Sequence, residues 1–546
     1  MKRSTTAIAA AAVAVSLALA GCSSGGPSTG TGSTTSTVSN VTVATPAIAT
    51  TFDWDAGGLY SNENFEAITN TQADLIRSPY VDGTQDYSKF EGVLATKKNP
   101  YTVSANKLTY TFNLRKGVKS QAGNPFTADD VMYSFERKYG SATSPAPSNY
   151  NLFLPDGLKS IKKIDDYHVS FTVKKASDGF PFLGLLANIN GRIYDKTVLD
   201  AHATKADPYA LQWAKVHTGW GYGAYTVTSL VPGQSMVLTA NKNYVLGEPV
   251  IRKITFKQVT DPGTRVTLLQ SGSVDFAEGL RPSDQTGLAG DSSITVPTVK
   301  NPIEFLDLVA VTKQAPFDNQ TVREALTYAI PYAQILKQVY DGRAVKSQGL
   351  IIPSTKGYDT ASLPEYGYDP TKAKALLAKA GKTGDVAFTL HVSSTVPDAV
   401  DAATLIKSYA AKAGFDVTIQ TETAASFATG RSTAAYQALI FRTRAQTQSP
   451  VYMTASWFLP NDSPNNVPRW EDPAFYKLVD EARSFPNPLS TQAGKVWAKA
   501  IALEMKSGPE TPIVYIQPAQ AFSSKFTGYG YRTDNTFDFS ILKPTS

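Results

Sequence analysis

The chain has 546 residues, 42% hydrophobic, 11% aromatic and 18% charged, with a formal net charge of +6. That apolar content excludes whole-chain disorder, and a small positive balance without a dense basic run excludes a nucleic-acid footprint. The single cysteine, Cys22, excludes an intrachain disulfide framework, a cysteine zinc site, an iron–sulfur cluster and a CxxC redox centre.

In chain order, Lys2 and Arg3 precede an apolar run from Ala7 to Ala20 that only Ser16 interrupts. The run is too short for a bilayer-spanning helix and suits the core of a signal peptide over residues 1–21. It ends in Leu19-Ala20-Gly21-Cys22, which resembles the lipobox of bacterial lipoproteins. The resemblance implies cleavage before Cys22 and acylation of that residue, giving a lipid anchor in the cell membrane on its extracytoplasmic face. Residues 22–40 are rich in Gly, Ser and Thr and read as a flexible tether of roughly 20–25 Å root-mean-square reach. No later segment holds enough consecutive apolar residues to predict a membrane span.

Beyond the tether, strand and helix signals alternate. Leu108–Leu114 alternates apolar and polar residues with the period of a half-buried strand, Gly123-Asn124-Pro125 breaks the chain, and Thr127 caps a predicted helix over 128–138. Asp129 and Asp130 fit the positive end of that helix. His168–Val173 and Ala224–Thr228 read as strands. Thr321–Val339, Pro370–Ala380 (stopped by Gly381), Asp472–Arg483 and Thr491–Lys506 read as helices. The body is predicted to be a mixed α/β chain of several lobes, with no fixed-period repeat.

Several of these segments match a known pattern in the same order: TYTFNLRKGVKSQAGNPFTADDVMYSFER ending at Arg137, GWGYGAYTVTSLVPGQSMVLTANKNYVLGEP within 218–249, and APFDNQTVREALTYA at 315–329. Tyr368–Ala373 and Pro473–Ala482 extend the match. From about Val43 to the C-terminus the chain resembles the family 5 extracellular solute-binding proteins of bacterial ABC importers, the group with oligopeptide-, dipeptide- and nickel-binding members. The resemblance implies a two-lobed α/β fold of the periplasmic-binding-protein type II (class C) kind, with a ligand cleft between lobes. The first lobe is then expected from 41–80, 205–295 and 513–546, its extra subdomain from 81–204, and the second lobe from 296–512.

Enzyme signals are sparse. His168, His202, His217 and His391 are scattered, and neither HExxH nor GxSxG occurs. Gly219-Trp220-Gly221-Tyr222-Gly223 is followed by a strand pattern, so it offers no helix N-terminus to a phosphate. Gly381-Lys382-Thr383 lacks the earlier glycine of a P-loop, since position 376 is Leu. No metal, cofactor or catalytic residue is assigned.

Ligand specificity is sought in Gln437–Gln446. As a strand it places Arg442, Arg444 and Gln446 on one face. In peptide-binding relatives the matching segment carries a Trp, and an Asp four residues before a Pro that pairs with the peptide ammonium. Counted back from Pro450, those positions here are Thr443 and Gln446. A neutral amide does not neutralise an ammonium, and two arginines suit carboxylate, phosphate or hydroxyl groups. Aromatic candidates in segments that line the cleft by resemblance are Trp54, Tyr60, Trp220, Tyr222, Trp457 and Trp470, with Glu304 and Phe305 at the entry to the second lobe. The expected function is a monomeric binding lipoprotein that delivers a peptide or peptide-like solute to an ABC permease and its ATPase subunits. The alternative ligand is an oligosaccharide or other polar organic solute, and the remote alternative is an anchored hydrolase.

Overall fold

Three separate stretches of chain build one sheet. In the computed structural model, which describes residues 39–56, 61–144, 157–300, 302–352, 355, 357–444, 449–455, 466–485, 487, 489–532 and 536–545, a seven-stranded sheet runs in the order Tyr225–Val231, Ser235–Ala240, Lys253–Gln258, Asn40–Thr45, Phe276–Glu278, Gln520–Ser523, Ile294–Thr295. Asn40–Thr45 pairs in parallel with both neighbours, and Val43, opposite Phe256 and Phe276, is fully buried. The strand starts at Asn40, the last residue of the expected tether; the signal peptide, Cys22 and the rest of the tether lie outside the described residues.

A four-stranded antiparallel sheet, Tyr101–Val103, Thr109–Asn113, His168–Val173 and Leu158–Asp165, backs this first body. Helix Ala128–Gly140 packs there, as the strand–turn–helix pattern predicts. Thr127 accepts from the Asp129 amide, and the Asp130 carboxylate accepts from the Thr127 amide at 2.8 Å, a reciprocal cap.

The second body has a mixed six-stranded sheet in the order Ala344–Lys346, Glu510–Ile516, Glu304–Ala310, Ala438–Arg444, Val386–Ser393, Phe415–Glu422. Glu304–Ala310 is buried along its whole length, because helices cover both faces of the sheet. Leu306, Leu308 and Ala310 join one core with helices Gln320–Ala329, Pro370–Lys379 and Pro397–Ala410. Phe305 and Val309 join the other core, with helices Pro473–Ser484 and Thr491–Ser507.

The predicted helix over 321–339 is corrected. It stops at Ala329, and short turns over Tyr332–Gln334 and Ile335–Val339 follow. Pro331 lacks the amide needed to continue the ladder and clashes with the preceding turn. The other predicted helices form as Pro370–Lys379, Pro473–Ser484 and Thr491–Ser507. Gly381 and Gly508 just past two of these ends have φ of +74° and +63°.

The chain crosses from one body to the other between Thr295 and Glu304 and again after Ile516. There Gln517 holds the two crossings together: the Val299 amide donates to its Oε1 at 2.8 Å, and its Nε2 donates to the Val299 carbonyl at 3.0 Å.

Candidate functional site

The bodies meet where the strand Ala438–Arg444 runs out toward the helix Asn62–Thr71. Ser61 caps that helix by accepting from the Asn64 amide at 3.2 Å. The Asn64 side chain accepts from the Thr50 amide at 2.8 Å, tying the 50–56 loop to the helix start. Arg444 then crosses from the second body. Its Nη2 donates to Asn62 Oδ1 at 2.8 Å, and its guanidinium lies 5.3 Å from the centre of the Phe65 ring. Trp54 also packs against Phe65, ring centres 5.6 Å apart, and its indole donates to Asn190 Oδ1 at 3.1 Å. Two aromatic rings, an amide and a cation from both bodies therefore line one junction.

The loop carrying Trp54 is held by an ion network inside the first body. Arg137 donates from Nη2 to Asp53 Oδ2 at 2.5 Å, and from Nη1 to Asp53 Oδ1 at 2.9 Å and Asp55 Oδ2 at 3.1 Å. The Arg137, Asp53 and Asp55 side chains have no exposed surface. Burial pushes the Asp53 carboxyl up despite the guanidinium beside it, and burial brings Lys138, 3.8 Å from Asp55, down to about 8.

Arg442 shares the strand face with Arg444 but is occupied within the second body. It donates from Nη2 and Nε to Asp398 at 2.7 and 3.2 Å and lies 3.6 Å from Glu304. Tyr340 donates to the same Asp398 at 2.6 Å. Burial alone would weaken the base, but Asp398 and Glu304 outweigh it and hold Arg442 above the ordinary arginine value. This closed set of partners braces the strand end from which Arg444 projects.

The other sequence candidates pack elsewhere. Trp220 is buried against Tyr194 and donates to the His217 carbonyl at 2.8 Å, while Tyr222 packs edge-on to Phe126. The glycines flanking Tyr222 serve packing: a Cβ on Gly221 or Gly223 would lie 2.4 or 2.2 Å from the Thr71 backbone. Phe305 is buried against Tyr515, and Trp470 against Phe475. Tyr60, Gln446 and Trp457 lie outside the described residues. Phe65 and Asn62 were missed by sequence reasoning; the available signal was a Ser-capped helix whose first turn carries an aromatic directly after the Trp54 loop.

A cavity of about 600 Å³ within the second body, walled by Tyr332, Lys346, Gly349, Tyr366 and Thr511, shares no lining residue with this junction. Among the described residues, no group of three or more His, Cys, Asp or Glu side chains is placed to hold a metal ion, and no helix is long and apolar enough to cross a membrane.

The family model "Bacterial extracellular solute-binding proteins, family 5 Middle" matches residues 89–465. Di/tripeptide-binding protein 2 of Pseudomonas aeruginosa is 27% identical over 484 residues, covering 83% of this chain and 86% of that one. Heme-binding protein A of Haemophilus influenzae is 25% identical over 478 residues, covering 84% and 85%. The Helicobacter pylori periplasmic binding protein DppA, solved with the peptide STSA, superposes with a TM-score of 0.80 at 24% identity, over 93% of this chain and 98% of that one. At that identity the superposition establishes a shared fold.

Proposed function

The chain belongs to the family 5 bacterial extracellular solute-binding proteins and has their two-lobed type II fold, and from that premise we propose that it is the binding component of an ABC importer which closes on a peptide or peptide-like solute. The observation that carries this reading is Arg444 reaching across to Asn62 and Phe65 beside Trp54. A solute held there touches both bodies at once, so its binding energy favours the closed form, and hinge closure follows from differential contact. Tyr60 lies six residues after Trp54 in the sequence, Gln446 two residues beyond Arg444, and Trp457 further along, and on that sequence placement we assign all three to the same cleft. We assign Trp220, Tyr222, Phe305 and Trp470 to packing, and Glu304 and Arg442 to bracing.

The di/tripeptide-binding relative and the peptide-bound neighbour support a peptide ligand. The partners are then a permease with its ATPase subunits, and a membrane reached through a lipid on Cys22, with the protein acting as a monomer on the extracytoplasmic face. No catalytic step is assigned to any residue.

A thermal-shift panel of peptides, gluco-, xylo- and galacto-oligosaccharides and nickel chelates tests the ligand class. A ligand at a hundred times its Kd adds about 2.7 kcal/mol of stability, a readable rise in Tm. Peptides are expected to raise Tm; a rise with oligosaccharides alone replaces the peptide reading with the sugar alternative. With the responding ligand, Arg444→Ala is expected to weaken binding roughly tenfold or more, the scale of a lost hydrogen bond to a charged group. Arg442→Ala is expected instead to lower the stability of the free protein by about 3–5 kcal/mol, because Asp398 and Glu304 lose their cation. Equal effects of the two substitutions on ligand affinity, with no loss of stability from the second, would reverse these assignments.

A further inference from the structure

The bodies touch again at some remove in sequence from Trp54 and Arg444. Asp178 closes the turn Ala176–Asp178 of the first body, and Arg483 sits in the last turn of the helix Pro473–Ser484 of the second. Arg483 Nη2 is 3.6 Å from Asp178 Oδ1, with only 11% and 3% of the two side chains exposed. Nη2 makes no hydrogen bond at that distance. On the other side of the guanidinium, Nη1 is 3.8 Å from Asp480 of the same helix, whose side chain is 78% exposed. One arginine thus stands between a dry carboxylate on the opposite body and a wet carboxylate on its own.

Neither end is free to follow the other. Asp178 donates its amide to the Lys175 carbonyl at 3.1 Å, and the next residue, Gly179, is so tightly packed that a Cβ would lie 1.7 Å from the Tyr110 hydroxyl. Phe182, Leu185 and Leu186 of the helix that begins there are core residues of the first body. Phe475, Val479 and Ala482 fix the helix of Arg483 in the core of the second. When the bodies separate, Asp178 and Arg483 must therefore part.

An exposed pair like Arg483–Asp480 is weak and screened by salt, whereas a pair with one desolvated partner interacts through a lower effective dielectric. Closing costs Asp178 its water and returns a stronger partner; opening restores that water and leaves Arg483 with Asp480. The balance is a modest bias, and apparent affinity scales with the fraction of protein in the competent form. We infer that Arg483 is a closure latch that exchanges Asp480 for Asp178 as the cleft shuts, and so sets solute affinity without touching the solute. The inference rests on the closing cleft proposed above, but its test reads closure with no solute present.

The full chain carrying Cys22→Ser has no thiol, so spin labels at Lys162→Cys and Lys477→Cys, exposed positions on the two bodies, report the distance between them. Arg483→Gln is expected to move the distance distribution toward the open form, lowering the closed-to-open ratio several-fold, whereas 1 M salt is expected to move the parent protein toward closed, because it screens the exposed Arg483–Asp480 pair more than the buried one. Asp480→Asn lies on the surface, carries little folding risk, and is expected to move the ratio the other way, about two- to threefold toward closed. Unchanged distances in both Arg483→Gln and Asp480→Asn, or a shift toward open in Asp480→Asn, would overturn the latch. A failed ligand panel with these shifts intact would count against the solute reading alone.

Discussion

Replacing Arg137 by methionine is expected to remove about 3–5 kcal/mol of folding stability, because Asp53 and Asp55 become buried carboxylates without their cation. The guanidinium meets Asp53 through both its terminal nitrogens, a fork that lysine cannot reproduce, so Arg137→Lys is expected to lose most of the same stability. Lys138 cannot stand in, since its ammonium is committed to the Arg192 carbonyl at 2.5 Å and burial already weakens it as a base. Urea denaturation is the measurement: the midpoint should fall with little change in slope. Removing the carboxylates as well, in Asp53→Asn/Asp55→Asn/Arg137→Met, should restore part of the loss, because the penalty lies in the unpaired charges. A midpoint that does not move would mean that the network contributes no net stability. The functional consequence is local. Trp54 stands between the two anchored aspartates, so loosening them should weaken solute binding even in molecules that remain folded.

The second large effect concerns pH. Asp307, Glu504 and Glu510 are buried together in the second body, and none of their carboxylate oxygens has a hydrogen-bond partner. Burial pushes Glu510 up to about 8, even with Arg431 acting in the opposite direction. Burial, with Glu510 adding to it, raises Glu504; burial and both glutamates raise Asp307. The sign follows from proton counts. Between the unfolded value near 4.5 and the folded value near 8, the folded state holds a proton on Glu510 that the unfolded state has released, so stability falls as pH rises through this window. Glu510→Gln removes that titration. It should change stability little near pH 4.5 and raise it increasingly toward pH 8, by about 4–5 kcal/mol, with Tm rising in step. Melting both proteins across pH 4.5–8.5 tests this; a difference that stays flat or shrinks with pH would show that these carboxyls are ionised or hydrated in the native protein.

Local order was largely legible in the sequence, because its causes are local. The alternation in Leu108–Leu114 and the Thr127 cap need only neighbouring residues, and strand Thr109–Asn113 and helix Ala128–Gly140 follow from them. The break at Pro331 was also written locally, but a long apolar-periodic run concealed it. What each site residue touches was not legible. Period two correctly puts Arg442 and Arg444 on one face, yet one is consumed by Asp398 and the other reaches Asn62, and both partners come from distant chain segments. Asp53 and Asp55 read as ordinary loop charges until folding brings Arg137 between them. Trp220 and Trp470 illustrate the converse: an aromatic in a cleft-lining segment can still turn into the core, and only the packing decides.

The composition of the seven-stranded sheet also fixes an order of assembly. Phe276 lies opposite Phe522, and Gln285 donates to the Pro518 carbonyl 233 residues further along the chain. The second body needs no strand later than Glu510–Ile516, whereas the first body, begun at Asn40, lacks an inner strand until Gln520–Ser523 arrives. A chain emerging from its N-terminus therefore completes its oldest lobe last, holding Phe276–Glu278 as an open edge throughout. Such long-range pairing is slow to form, so the sheet of the first body is completed only when Gln520–Ser523 pairs with Phe276–Glu278.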